Sequence, residues 1–218
     1  MNFSVSEENY LKAIYHLQEA GGKVNTNALA EKLNAKAASI TDMMKKLSSK
    51  GLLDYTPYYG FSLSSEGKKS ALSVIRRHRL WEFFLANNLK FDWKEVHSIA
   101  EELEHVSSKK LIDKLDEYLG YPQTDPHGDP IPNSKGKIRQ LSAVILNQMP
   151  LHQPAEILQV TNQSDEILEH LKEKGLGLGT RIEVKKVFSF DHSLEIKIKN
   201  KIVVITKELA QSLLVKKL

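Results

Sequence analysis

The chain contains no cysteine. That excludes disulfide staples and thiolate metal sites, and it accords with a reducing compartment, so a cytoplasmic location is expected. Long apolar runs are also missing. None approaches the ~18 residues that a membrane helix needs, so no membrane partner is expected. The opening MNFSVSEENY has no basic stretch leading into an apolar core, and no secretory signal is expected from it. Prolines are few, 7 in 218 residues, and four of them crowd into YPQTDPHGDPIPNSKG, which excludes regular structure there and leaves an ordered extended loop or a domain edge.

What is present is ordinary for a globular chain, 41% hydrophobic and 27% charged. The net charge of +4 is uneven. Residues 1–79 carry 12 Lys/Arg against 7 Asp/Glu, residues 80–137 carry 7 against 11, and residues 138–218 carry 12 against 9. A basic front suits an anionic partner, and an acidic middle suits a cation.

Ser4 or Ser6 followed by Glu7 and Glu8 opens a first helix, which Gly21-Gly22 ends. Thr26 caps a short second helix, NALAEKLN. SITDMMKKLSSKG is a third, closed by Gly51. LLDYTPYYGFSLS alternates about Pro57 and Gly60 as a hairpin, and Ser65-Glu66 opens a long helix to about Asn88. This order is that of a winged helix-turn-helix. The recognition helix, Ser39 to Leu47, would present Lys36, Ser39, Thr41, Asp42, Lys45 and Lys46 to base edges and phosphates, with Tyr58 and Tyr59 at the wing tip. A plain three-helix bundle with a solvated charged face is the bland alternative. Helix-turn-helix spacing, wing and basic charge together favour DNA.

Two more helices follow, DWKEVHSIAEELEH with Asp92 as cap and SSKKLIDKLDEYLG. KIRQLSAVILNQMPLHQPAE reads as a connection. From about Ala155 the texture turns β-rich, with a helix, SDEILEHLKEKG, inserted, which predicts a small β-barrel.

On the helix holding HSIAEELEH, His97, Glu101, Glu104 and His105 share about a third of the circle. RRHRLWE on the long helix places His78 and Glu82 one turn apart. Either stripe alone reads best as a solvated face. The pair suits a divalent metal in a helical core, with manganese, ferrous iron, zinc or nickel fitting imidazole and carboxylate. His16, His127, His152, His170 and His192 are scattered and read as surface or packing residues.

These stretches, with VHSIAEELEHVSS and DPHGDPIPNSKG, resemble the diphtheria toxin repressor family of metal-dependent regulators over essentially the whole length. The resemblance implies a mainly α fold with β. A winged helix-turn-helix (1–70) precedes a helical dimerisation and metal domain (71–140), a linker (141–154) and an SH3-like, FeoA-like β-barrel (155–218). It also implies an ancillary metal site at His78, Glu82 and His97, completed by Asp165, Glu166 or Gln163. A primary site would lie at Glu101, Glu104 and His105, with Asn9 where members have methionine or aspartate. This all-oxygen-and-nitrogen set leans toward manganese. Lys12 stands where two-domain manganese regulators carry glutamate, and an ammonium cannot ligate, which argues against a closely spaced pair of metals.

The expected function is a homodimeric repressor of metal-uptake genes, activated by Mn2+ or Fe2+ (Zn2+ and other divalent ions serving in vitro) and binding a palindromic DNA operator. An iron-dependent repressor of the same family is the alternative. Rivals of other classes are a helical-site metal hydrolase or oxygenase, which the lack of HExxH and of a nucleophile elbow disfavours, and a structural DNA-binding protein.

Overall fold

The structure, a computed structural model, describes residues 3–22, 24–56, 60–106, 108–140 and 142–218. The chain divides into two compact units. One comprises 1–78, 101–114 and 132–137, the other 79–100, 115–131 and 138–218.

In the first unit, α1 (Val5–Glu19) begins at a reciprocal cap. The Ser4 hydroxyl accepts the Glu7 N–H, and the Glu7 carboxylate accepts the Ser4 N–H. Tyr10, Leu11, Ile14 and Tyr15 form its buried stripe. The cap of α2 (Thr26–Leu33) is Asn25, which accepts the Ala28 N–H at 2.9 Å, rather than Thr26, the first helical residue. α3 (Ala37–Ser49) starts two residues before the expected Ser39 and buries Ile40, Met44 and Leu47. β1 (Leu53–Thr56) and β2 (Gly60–Leu63) pair antiparallel as the wing, Leu53 opposite Leu63. Gly60 is required at φ +92°, where a Cβ would come within 2.6 Å of the Val24 carbonyl oxygen. The wing tip, with Tyr58 and Tyr59, lies outside the described residues.

Three helices are divided between the units: α4 (Ser65–Asn87) at His78/Arg79, α5 (Trp93–Val106) at Ala100/Glu101, and α6 (Lys109–Tyr118) at Lys114/Leu115. The second unit holds a six-stranded antiparallel sheet. Its strands are β3 (Val144–Ile145), β4 (Pro154–Val160), β5 (Arg181–Val187), β6 (Leu194–Ile198), β7 (Lys201–Ile205) and β8 (Leu213–Lys217), in the order β3-β8-β4-β5-β6-β7. Inward residues such as Ile157, Val184, Ile196 and Val215 pack with Leu168 and Leu171 of α7 (Asp165–Lys174) and with Leu209 of α8 (Lys207–Gln211).

Two expectations change. No ladder joins β3 to β7 among the described residues, so the anticipated barrel is an open sheet rather than one closed by hydrogen bonds. The stretch read as a connection supplies β3 and a 3-10 turn (Leu146–Gln148), and the last residues, given no element from sequence, supply α8 and the interior strand β8.

The proline-rich loop is tightly ordered. Asp125 Oδ1 accepts the N–H groups of His127 and Asp129 at 2.8 and 3.0 Å, an Asx turn. Val160 N–H donates to the His127 carbonyl at 2.8 Å, tying the turn to β4. Gly128 sits at φ +90°, with the Leu158 carbonyl oxygen 2.0 Å from where a Cβ would be, so only glycine allows this approach.

Candidate metal centres and DNA face

In the second unit, donor atoms of Glu82, Asp125 and His127 lie within 4.8 Å of one another, and all three residues are buried. α4 positions Glu82, and the Asx turn positions Asp125 and His127. His97 of α5 adds an imidazole, its Nδ1 3.2 Å from Glu82 Oε1. His78 stands one turn before Glu82 on α4. A further carboxylate, Asp129, stands near Asp125. Asp129 accepts from Arg79 at 3.2 Å, from Gln159 at 2.9 Å and from Gln163 at 2.6 Å. Burial pushes the Asp125 carboxyl well above the usual range, and the neighbouring Asp129 and Glu82 carboxylates push it further, against the opposing pull of Arg79. A cation placed here relieves both burial and repulsion, so the donor set fits a divalent metal.

A cavity of about 390 Å³ opens beside it, with Trp93, His97, His127, Gln163 and Asp165 in its wall. Asp165 and Gln163, two of the side chains expected to complete this region, face that cavity. Glu166 is exposed on the first turn of α7. Asp125 and His127 are the donors of this cluster that sequence reasoning did not name. The signal was present in DPHGD, a histidine between two aspartates with a glycine fixing the turn.

In the first unit the expected primary residues meet different company. The Lys12 ammonium lies 2.8 Å from Glu104 Oε1 and 3.4 Å from Glu101 Oε1. Glu104 has no solvent exposure, and its other oxygen lies 2.6 Å from His78 Nδ1. His105 reaches Glu104 through Nε2 at 3.2 Å and Glu8 through Nδ1 at 2.6 Å, and Arg77 also pairs with Glu8. Burial raises the Glu104 carboxyl, but His78 and Lys12 together bring it below its ordinary value. Among the described residues, Glu101, Glu104 and His105 do not gather within 4.8 Å as a trio of donors. Asn9 is half-buried beside Glu8, and Glu8 and Lys12 of α1 make ion pairs with α5.

On α3, Lys36, Ser39, Thr41, Asp42, Lys45 and Lys46 are all exposed, opposite or flanking the Ile40–Met44–Leu47 stripe. Thr41 Oγ1 donates back to the Ala37 carbonyl at 3.0 Å, and Lys46 pairs with Glu7 at 3.2 Å. Lys36, Ser39, Asp42 and Lys45 are thus the side chains most open to a partner.

A helix-turn-helix with a wing, joined to helices that gather buried carboxylates and imidazoles, defines a class: DNA-binding regulators whose helical core is built for a cation. The comparisons agree. Residues 2–61 match the iron dependent repressor N-terminal DNA binding domain, 64–133 the iron dependent repressor metal binding and dimerisation domain, and 144–217 the FeoA domain. The diphtheria toxin repressor of Corynebacterium glutamicum is 30% identical over 188 residues, 81% of this chain and 82% of that protein. The HTH-type transcriptional regulator MntR of Oceanobacillus iheyensis is 35% identical over 120 residues, 55% of this chain and 81% of that one. A solved manganese-dependent transcriptional repressor in complex with manganese superposes with a TM-score of 0.88 at 33% identity, covering 97% of this chain and 100% of the other. The chain belongs to the diphtheria toxin repressor family of metal-dependent transcriptional regulators, whose members are repressors and not enzymes.

Proposed function

We propose that this protein represses metal-uptake genes when Mn2+ or Fe2+ occupies the group around Glu82, and that it does so in the cytoplasm as a homodimer on a palindromic operator. The observation that carries this reading is the buried Glu82–Asp125–His127 cluster, whose donor atoms lie within 4.8 Å of one another. Glu82, Asp125, His127 and His97 would hold the ion, with Asp165 in the adjoining cavity wall as a further donor. When bound, the metal supplies positive charge that neutralises these carboxylates and draws their elements together.

Glu82 and His97 lie on α4 and α5, and the same helices carry Arg77, Glu104 and His105, which grip Glu8 and Lys12 of α1. Fixing α4 against α5 therefore restricts the mounting of the helix-turn-helix and selects one spacing of recognition helices for two half-sites. Exposed apolar side chains at Val106, Leu111 and Tyr118 support a dimer surface on the helical region. The oxygen-and-nitrogen donor set favours Mn2+ over softer-site metals.

Selection of duplexes from a random library in the presence of Mn2+, followed by anisotropy titration of the selected DNA against Mn2+, Fe2+ and Zn2+, tests the reading. A palindrome whose affinity falls about tenfold or more under chelator is the expected result. Binding that ignores chelator would refute it.

A further inference from the structure

The joint between α1 and α5 already contains a cation, and it is a lysine. We propose that the face formed by Glu101, Glu104 and His105 is not a metal site in this protein: the Lys12 ammonium takes the place of a regulatory ion and holds α1 to α5 whether or not metal is present. Metal then enters control only through the Glu82 group, so the inference rests on that assignment.

The first argument is position. The ammonium lies within hydrogen-bond distance of both carboxylates that a metal would need, at 2.8 Å from Glu104 and 3.4 Å from Glu101. It has three donors and no lone pair, so it cannot join a coordination shell, and it repels any ion that tries to form one.

The second is saturation. Glu104 gives one oxygen to His78 and the other to Lys12 and His105. His105 commits Nδ1 to Glu8 and Nε2 to Glu104. Metal ligation by Glu104 and His105 would first have to break contacts that satisfy a carboxylate with no exposure to water. An unpaired charge in that position is costly.

The test is Mn2+ titration calorimetry on the full-length, metal-stripped chain. His105→Gln is expected to bind as many Mn2+ ions per chain as the parent, with affinity within twofold. Lys12→Glu, which exchanges the ammonium for a further carboxylate, is expected to gain one ion per chain, and the double variant Lys12→Glu/His105→Gln to lose it again. A gained site cannot arise from misfolding. Loss of one ion in His105→Gln alone overturns the proposal, and so does an unchanged count in Lys12→Glu. His127→Gln separates the two readings: if it keeps the parent's full count, the Glu82 assignment fails independently of what Lys12 does.

Discussion

The ammonium nitrogen of Lys12 lies 2.8 Å from Oε1 of Glu104, a carboxylate with no exposure to solvent. It spans from the first helix of the DNA-binding region to a helix of the metal-domain match, so this pair fastens the reading head. Lys12→Met should therefore destabilise the fold by about 1.5–3 kcal/mol, the usual worth of hydrogen bonds to charged groups, and should do so equally with and without Mn2+. Urea melts in both conditions measure it. A loss rescued by Mn2+ would mean that metal can replace the ammonium.

The same helix contributes a pH dependence. Lys50, with further help from the Ser4 N–H and Lys46, holds the Glu7 carboxyl at about 2, against an ordinary 4.5, although burial opposes the shift. A carboxyl depressed in the folded state contributes stability that is complete above the unfolded value and lost as pH falls. The window runs from about pH 4.5 down toward 2. With Lys46 and Lys50 partly exposed and screened, a contribution of about 1–2 kcal/mol at neutral pH is reasonable. Glu7→Gln should lower stability at pH 7 by that amount and flatten the acid limb of a stability–pH curve.

The α3 lysines should not behave alike. Lys45 has an exposed head suited to phosphate, whereas Lys46 is drawn back to Glu7 at 3.2 Å. Lys45→Ala should weaken binding to all sequences and reduce the salt slope by about one, and Lys46→Ala should do less. Ser39 or Asp42 substitutions should change sequence preference instead. Salt-dependent anisotropy with matched and mismatched duplexes distinguishes these outcomes.

Gly128→Ala should disturb the proposed metal group without touching any of its donor side chains. At φ +90°, with the Leu158 carbonyl oxygen 2.0 Å from the added Cβ, the Asx turn must shift, at a cost of about 1–3 kcal/mol. His127 moves with it. Thermal melts should show the loss, and Mn2+ affinity should fall in parallel.

Much of this architecture was legible because periodicity is local. The α1 stripe Tyr10–Leu11–Ile14–Tyr15 and the alternation of β5 and β6 announce themselves within a few residues. β8 did not, because LLVKK lies between two neighbours in the sheet and lacks clean alternation, and β3 is only two residues long. Of the candidate donors, helical spacing singled out His78, Glu82, His97, Glu101, Glu104 and His105, but it carried no information on which partner each would meet. Lys12 and Glu104 are 92 residues apart, and no pattern within either helix foretells that an ammonium sits where a metal was expected. His127 was set aside because proline-rich sequence signals only the lack of regular structure, while the Asx turn that aims it depends on Asp125 and on contact with β4.

Anomalous diffraction at the manganese edge, from crystals grown with Mn2+, tests the central claim most directly. The account predicts a strong peak among Glu82, Asp125 and His127 and none between Lys12 and Glu104. A peak ligated by Glu104 and His105, with the Glu82 group empty, would contradict it.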